Sequence, residues 1–153
     1  MEFKPVTVTE FEQARNASKR SQFLAAKPSA ELAACRLYLS DDGRVGFAID
    51  TAGDLQNVFN NGSFRGAGAT AVATAVVLGA RKLDCFDGFL VGFYARFGFK
   101  EVRRVAFDPA FAPEHWDYSH DGTPDVVYME LGRWPQAVHN LAGGVTKTLG
   151  RGA

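Results

Sequence analysis

A run of small residues behind one arginine, Arg65-Gly66-Ala67-Gly68-Ala69-Thr70, has the composition of a phosphate-binding turn. Residues 54–59 before it contain β-branched and aromatic side chains and predict a strand, and the Ala-rich residues 71–78 after it predict a helix that ends at Gly79. The first amide N–H groups of a helix have no partner within it, and its positive dipole end favours an anion. Small side chains would let a phosphate approach, and Arg65 could add a charge-assisted contact. The alternative is a glycine-rich turn without a ligand.

An aromatic segment follows further along the chain. After a predicted buried strand at 81–86, the residues from Phe89 to Val102 predict a helix, a stop at Gly98 and another strand. This stretch contains the run Phe93-Tyr94-Ala95-Arg96-Phe97-Gly98-Phe99.

Taken together, the two segments resemble the GNAT acetyltransferase superfamily, in motif, order and spacing, over roughly residues 33–131. In that family an Arg/Gln-x-x-Gly-x-Gly/Ala loop holds the pyrophosphate of acetyl-CoA, and a Phe-Tyr-x-x-x-Gly-Phe run places a Tyr beside the cofactor sulfur. The resemblance implies an acetyl-CoA-dependent N-acetyltransferase acting on an amine of a small molecule or protein. It implies Tyr94 as the general acid that protonates the leaving thiolate, whereas a Tyr that only packs in the core is the alternative.

The resemblance also implies a set of cofactor contacts. Backbone groups of one strand would bind the pantetheine arm as an added strand, and the small-residue loop would bind the pyrophosphate. Thr70 departs from the usual Gly or Ala, and Asp87 stands near a position where many members carry an Asn. Because an ionised carboxylate donates no hydrogen bond, a catalytically weak or inactive binding or regulatory protein of this fold is the alternative function. The predicted cofactor-binding residues are Val58, Phe59, Asn60, Arg65, Gly66, Ala67, Gly68, Ala69, Thr70 and Asp87.

The general base is not identified by a motif. His115 or Asp54 is the predicted base, with Asp50 and His120 as rivals and a water relay as a further alternative. The loop 108–125 is rich in Asp and contains no Lys or Arg, so it forms a local negative zone that suits a cationic amine. A solvated loop with polar turn residues is the competing interpretation.

Element order predicts an α/β (α+β) fold with a mixed, mostly antiparallel sheet of about six or seven strands flanked by helices, as in GNAT proteins. An edge-like strand is predicted from Phe3 to Val8, followed by a helix to about Ala26 that starts with a capping box, Thr9 to Glu12. Strands at 32–40 and 44–50 form a hairpin around Asp41-Asp42-Gly43, and 125–131 is the last strand. Residues 108–124 are predicted to be a long loop without a regular element.

Composition limits the class of protein. The 153 residues carry zero net charge and are 46% hydrophobic, which fits one globular domain at 1–131 and argues against nucleic acid or an anionic membrane as a partner. No apolar run suits a membrane span or a signal peptide, and a cytoplasmic location is expected.

Cys35 and Cys85, both in apparent strands, lack metal-ligand spacing and are expected to be buried, with no metal. The Gly-rich residues 132–153 are expected to be a mobile tail, and exposed strand edges favour a homodimer.

Overall fold

A computed structural model describes residues 2–17, 29–63, 65–113 and 116–132, which form seven strands and five α-helices. The strands are β1 (Phe3–Pro5), β2 (Arg36–Ser40), β3 (Val45–Ile49), β4 (Leu55–Asn60), β5 (Lys82–Phe86), β6 (Phe99–Val105) and β7 (Val126–Leu131). The helices are α1 (Val8–Asn16), α2 (Ser29–Ala33), α3 (Ala67–Val77), α4 (Phe89–Ala95) and α5 (Tyr118–Asp121), with a 3-10 turn at Pro109–Phe111. In these residues no helix has both the length and the apolar character needed to cross a membrane.

The strands form two antiparallel sheets that meet at one point. The first has the order β1-β2-β3-β4 and the second the order β5-β7-β6. A single parallel bridge between Asp54 and Lys82 connects them. Beyond that bridge β4 and β5 form no further ladder within the described residues, so the two sheets diverge. The fold confirms the predicted α+β class with a mixed, mostly antiparallel arrangement of strands.

The helices cover both faces of the first sheet. Small and β-branched residues of α3 (Ala67, Ala71, Val72 and Ala75) pack on one face, here called the α3 face, with Phe47 and Leu55. Helices α1 and α2 pack on the opposite face, the α1 face, where Phe11 and Leu32 contact Phe59 and its neighbours. Because alanine side chains are short, α3 approaches the sheet closely, and its N-terminus lies just beyond the loop that leaves β4.

The β2–β3 hairpin has the predicted Asp41-Asp42-Gly43 turn, and Asp42 also ties it to the loop before α3. The Asp42 carboxylate accepts hydrogen bonds from Ser40 Oγ at 2.6 Å, Ser63 Oγ at 2.6 Å and the Arg44 N–H at 3.0 Å. The hydrogen bonds from Ser40 and Ser63 lower the pKa of Asp42 to about 2. The hairpin thus holds the loop through which β4 leads to α3.

Helix α3 ends where Gly79 was predicted to stop it. Gly79 has φ 113°, its N–H donates to the Val76 carbonyl, and the next N–H, of Ala80, donates to the Ala75 carbonyl. This pair of bonds is the Schellman arrangement, which favours glycine because of the positive φ.

The predicted capping box is wrong by two residues. Thr7 rather than Thr9 is the N-cap: Glu10 N–H donates to Thr7 Oγ1 at 3.2 Å, and Thr7 N–H donates to Glu10 Oε1 at 3.1 Å. Thr9 and Glu12 fit the same spacing, but Val8 already adopts the helical conformation because β1 ends at Pro5. The predicted continuation of the helix to Ala26 lies mostly outside the described residues.

Three further predictions need correction. Leu32 belongs to α2 and not to the strand of the hairpin, which starts at Arg36. Cys35 is therefore not in a strand, and it is half-buried rather than buried as predicted; it follows α2 and its Sγ donates to the Glu31 carbonyl at 3.4 Å. The segment 108–124 contains a 3-10 turn and α5, each started by an aspartate, Asp108 and Asp117, whose side chain accepts backbone N–H groups. The tail 133–153 lies outside the described residues.

Candidate functional site

The cleft between the two sheets is the candidate site. On one side β4 pairs with β3, and on the other its ladder with β5 ends at the Asp54–Lys82 bridge. Val58, Phe59 and Asn60 lie on the stretch of β4 whose second edge faces the cleft. Phe59 is buried on the α1 face, at 4% exposure, so only the backbone of that residue is available to a ligand. An extended molecule could add to this edge as another strand.

A β-bulge shapes β4 at the start of the cleft. Gly46 pairs with Phe59 and Ala48 with Gln56, so Asn57 and Val58 together oppose one residue of β3. Asn57 has φ 52°, and its side chain is buried at 8% exposure. The bulge reverses the alternation of the strand, since Val58 packs with the α3-face cluster and Phe59 with the α1-face cluster.

Glycine at position 46 of β3 makes room for that reversal. A Cβ there would lie 2.8 Å from the Phe59 ring and 2.7 Å from the Leu39 side chain. No sequence prediction included Asn57, because the residues of β4 read as an uninterrupted strand and the bulge depends on pairing with β3.

The small-residue loop forms an open helix N-terminus. Gly66 is the N-cap of α3 with φ 85° and no side-chain capping bond, and a Cβ at Gly68 would meet nothing within 4 Å. Arg65 is exposed beside it. The Thr70 hydroxyl donates to the Gly66 carbonyl at 3.2 Å, so its hydrogen is used within the helix. Ala67 is buried against the sheet, and a Cβ placed at Gly66 would also meet nothing within 4 Å among the described residues.

Tyr94 lies on α4 within the buried cluster of the α3 face. Its side chain is 8% exposed, and its ring contacts Phe93 and Phe99 edge-on at centroid distances of 5.3 Å and 6.1 Å. Burial raises the pKa of Tyr94, and the nearby Cys85 and Asp84 raise it further. The phenol therefore keeps its proton at every physiological pH.

Cys85 is buried, as predicted, in β5. Burial raises the pKa of its thiol to about 11, with smaller contributions from Asp84 and Asp87. A thiol that stays protonated at neutral pH is a poor nucleophile. The described residues contain no group of His, Cys, Asp and Glu side chains that could hold a metal ion.

Asp54 stands at the closed end of the cleft, in a half-open pocket of about 280 Å³. Burial is the main cause that raises the pKa of Asp54, and Asp84 and Asp50 raise it further. Gln56 shares its Nε2 between the Asp50 and Asp54 carboxylates at 3.3 Å and 3.5 Å. The side chains around this pocket are mostly polar and include Lys82, Asp84, Arg103, Tyr128 and Glu130.

The other predicted base, His115, lies outside the described residues. His120 is on α5, where its Nδ1 lies 2.8 Å from Asp121 Oδ1, and this contact raises the pKa of the imidazole. Aromatic contacts hold the loop around His120 against the sheet: the ring centroid of Trp116 lies 4.9 Å from that of Phe86 and 5.6 Å from that of Phe107. The Nε1 of Trp116 also donates a hydrogen bond to the Gly122 carbonyl at 2.9 Å.

Asp87 follows the open end of β5, but its carboxylate is engaged by the protein. Arg104 Nη1 donates to Asp87 Oδ2 at 2.6 Å and also contacts Asp125 at 3.3 Å, while Nη2 donates to Glu101 at 2.8 Å. Asp87 lies beside the cleft in a pair with Arg104, and its predicted contact with the cofactor stays a prediction.

The divided sheet and the position of α3 can be compared with solved structures. The ribosomal-protein-S18-alanine N-acetyltransferase from Escherichia coli superposes with a TM-score of 0.57 and 14% identity, over 85% of this chain and 92% of that one. The chain has the GNAT acetyltransferase fold. A GNAT superfamily phosphinothricin acetyltransferase from Sinorhizobium meliloti, solved in complex with AcCoA, superposes with a TM-score of 0.50 and 14% identity, over 88% and 90%. No protein-family model and no curated protein matches the sequence.

Proposed function

We propose that this GNAT-fold chain is an N-acyltransferase that moves an acetyl group from acetyl-CoA to an amine. One observation carries the proposal: the cleft between β4 and β5 opens toward the uncapped N-terminus of α3. An extended pantetheine suits the unpaired edge of β4, and an anionic pyrophosphate suits the free amides at Gly66 to Ala69 with Arg65 beside them.

This orientation assigns an order to the cofactor along the cleft. The pyrophosphate lies at Arg65 to Thr70, and the pantetheine arm follows β4 backwards from Asn60 to Val58. The thioester then reaches the closed end, near Asn57. Tyr94 packs on the α3 face, whereas Asp54 lines the pocket together with Lys82 and Asp84 of β5.

The two side chains suit the two proton transfers of the reaction. The amine attacks the thioester carbonyl carbon and passes a proton to Asp54, directly or through water, and a tetrahedral intermediate forms. When the C–S bond breaks, the Tyr94 hydroxyl donates its proton to the thiolate and later recovers one from solvent. The raised pKa of Asp54 makes its carboxylate a stronger base than an exposed aspartate, and the raised pKa of Tyr94 keeps the donor protonated.

The acceptor that fits this site is a cationic amine. Asp50, Asp54 and Asp84 lie together at the closed end of the cleft. The aspartates would attract a protonated amine. The ammonium would lose its first proton to solvent before the attack, and Asp54 would take the second as the C–N bond forms.

A catalytically inactive protein that binds CoA or a related anion is the second candidate. It is favoured by Thr70, whose hydroxyl donates within α3, and by Asp87, whose carboxylate is paired with Arg104. Thr70 places a β-branched side chain where the family pattern has Gly or Ala, and the carboxylate of Asp87 cannot donate the hydrogen bond that an Asn would provide.

Calorimetric titration with CoA and acetyl-CoA tests the proposal. Wild-type protein should bind both, and Arg65→Ala should weaken binding about tenfold, or about 1.4 kcal/mol, by removing a charge-assisted contact. Lys100→Ala, which removes an exposed positive charge from β6, is the matched control and should bind like wild type. Absence of binding by the wild type would contradict both candidates. Binding without release of free thiol, across a panel of amines, would favour the inactive protein.

A further inference from the structure

Asn57 carries a buried carboxamide that the fold does not explain. Among the described residues it is the non-glycine residue with positive φ, 52°, and its side chain is 8% exposed. Neither its Nδ2 nor its Oδ1 has a hydrogen-bond partner in the described part of the chain. Left-handed backbone and an unpaired buried amide each cost stability, and both fall on the same residue.

The bulge by itself does not require an asparagine. Glycine would adopt φ 52° with less strain, and it would leave no polar side chain in the core. The bulge needs only an extra residue in β4 so that Val58 and Phe59 point to opposite clusters. The carboxamide of Asn57 is therefore the feature that lacks a structural reason. Strained backbone residues cluster at active sites and ligand clamps, and an unpaired buried polar group in a native structure calls for an explanation such as a catalytic role.

The position of Asn57 suggests what its side chain binds. It is three residues beyond the Asp54–Lys82 bridge, where β4 has lost its second neighbour. In the proposed orientation the pantetheine arm passes Asn60, Phe59 and Val58 in turn, so the next residue that the cofactor meets is Asn57. The group at that end of the cofactor is the acyl thioester.

We propose that the side chain of Asn57 binds the acyl group of the thioester, with Nδ2 donating a hydrogen bond to the acyl carbonyl oxygen. This inference rests on the proposed function and extends it to a residue that recognises the acyl group. As the amine attacks, negative charge grows on that oxygen, and a donor held in a buried site stabilises it more than water would. The free enzyme retains the strained, unpaired amide because the ligand completes its hydrogen bonds.

Two substitutions separate this role from a purely structural one. Asn57→Gly removes the amide and accepts the positive φ, so the fold should be kept. Asn57→Asp keeps a side chain that tolerates the left-handed region but has no N–H to donate. Asn61→Gly, just after β4, is the matched control, because the Asn61 side chain contacts the Ala17 carbonyl at 3.0 Å and has no role in the proposed site.

The experiment compares acetyl-CoA with CoA, which lacks the acyl carbonyl. In Asn57→Gly we expect an unchanged or higher Tm, CoA affinity within about twofold of wild type, and acetyl-CoA affinity reduced to that of CoA. The rate of acetyl transfer should fall roughly 100-fold or more, as for loss of one oxyanion donor. Asn57→Asp should show the same loss of transfer, and Asn61→Gly should show none.

Each other outcome is informative. A lower Tm with an unchanged ratio of the two affinities and an unchanged rate would assign Asn57 to the fold and overturn the inference. A wild-type ratio and rate in both Asn57 variants would also overturn it. If wild-type protein binds neither CoA nor acetyl-CoA, the proposed function fails, and the inference fails with it. If CoA binds normally but Asn57→Gly does not lower the affinity for acetyl-CoA relative to CoA, the inference alone fails.

Discussion

Arg104 Nη1 lies 2.6 Å from Asp87 Oδ2, and the two residues come from the loop after β5 and from β6. The same guanidinium contacts Glu101 and Asp125, so three carboxylates share one cation beside the open end of the cleft. An anionic cofactor approaching this end of the cleft meets carboxylates whose charge Arg104 has already partly neutralised.

Removing that cation should therefore reduce cofactor binding through electrostatics. We expect Arg104→Ala to weaken CoA binding several-fold at low salt and less at high salt, because salt screens the uncovered carboxylates. Asp87→Asn should bind CoA at least as tightly as wild type. Titration at two ionic strengths measures both. Equal loss of affinity in the two variants would show that the geometry of the pair matters and its charge does not.

Gly68 gives a test of the phosphate site that does not threaten the fold. A Cβ at Gly68 or at Gly92 would meet nothing within 4 Å, and both residues are in helices. Because alanine favours a helix by up to about 1 kcal/mol over glycine, Gly68→Ala and Gly92→Ala should both keep or raise Tm. Gly68→Ala alone should weaken CoA binding, by about tenfold, because its methyl group lies in front of the first free amides. Equal CoA affinity in both variants would place the phosphates elsewhere.

Tyr94→Phe tests the proton donor. The substitution keeps the ring that packs against Phe93 and Phe99, so Tm should change little. If the hydroxyl protonates the thiolate, kcat should fall roughly 100-fold while the affinity for acetyl-CoA stays within about twofold. Since burial raises the pKa of Tyr94, the wild-type rate should show no loss of this acid up to about pH 10. A rate close to wild type in Tyr94→Phe would return the residue to a packing role.

Local signals in the sequence predict most of the fold. The Asp42-Gly43 turn and the Gly79 stop depend on near neighbours, and the structure places both as predicted. The helix predicted at 71–78 begins earlier, at Ala67, so most of the run of small residues lies within α3 and only Gly66 precedes it as the N-cap. Features that depend on pairing between distant strands were not predicted. The Asn57 bulge depends on Gly46 in β3, and the Asp87–Arg104 pair depends on how β6 and β7 align.

The capping box at α1 illustrates a local signal with two solutions. Thr7 with Glu10 and Thr9 with Glu12 have the same spacing, and only the end of β1 decides between them. Thr7→Ala should lower the free energy of unfolding by about 1 kcal/mol, because the Glu10 amide loses its acceptor. Thr9→Ala should have little effect, and urea denaturation of the two variants compares them directly. A larger loss from Thr9→Ala would restore the original assignment.

Asp54 links the proposed base to stability. Burial and two neighbouring aspartates raise its pKa in the folded protein above the ordinary value near 3.9. Between those two pKa values the folded state holds the proton more tightly than the unfolded state, so stability falls as pH rises through that window. At pH values above that window, the charged carboxylate of Asp54 lowers the free energy of unfolding. Asp54→Asn should therefore raise Tm at pH 7, and the gain should vanish near pH 3, where the wild-type side chain is protonated in both states.

The same substitution should abolish the pH dependence of catalysis that the base provides. In the wild type, the rate of acetyl transfer should rise with pH through the folded pKa of Asp54, because only the carboxylate accepts the amine proton. Asp54→Asn should lose that rise and transfer roughly 100-fold more slowly at pH 7. Asp41→Asn, an exposed aspartate in the β2–β3 turn, is the control and should match wild type in both measurements. A higher Tm at pH 7 together with a wild-type rate would show that Asp54 is a half-buried charge that lowers stability and takes no part in the reaction. His115 and the other titratable residues of the loop 108–125 would then be the next candidates for the base.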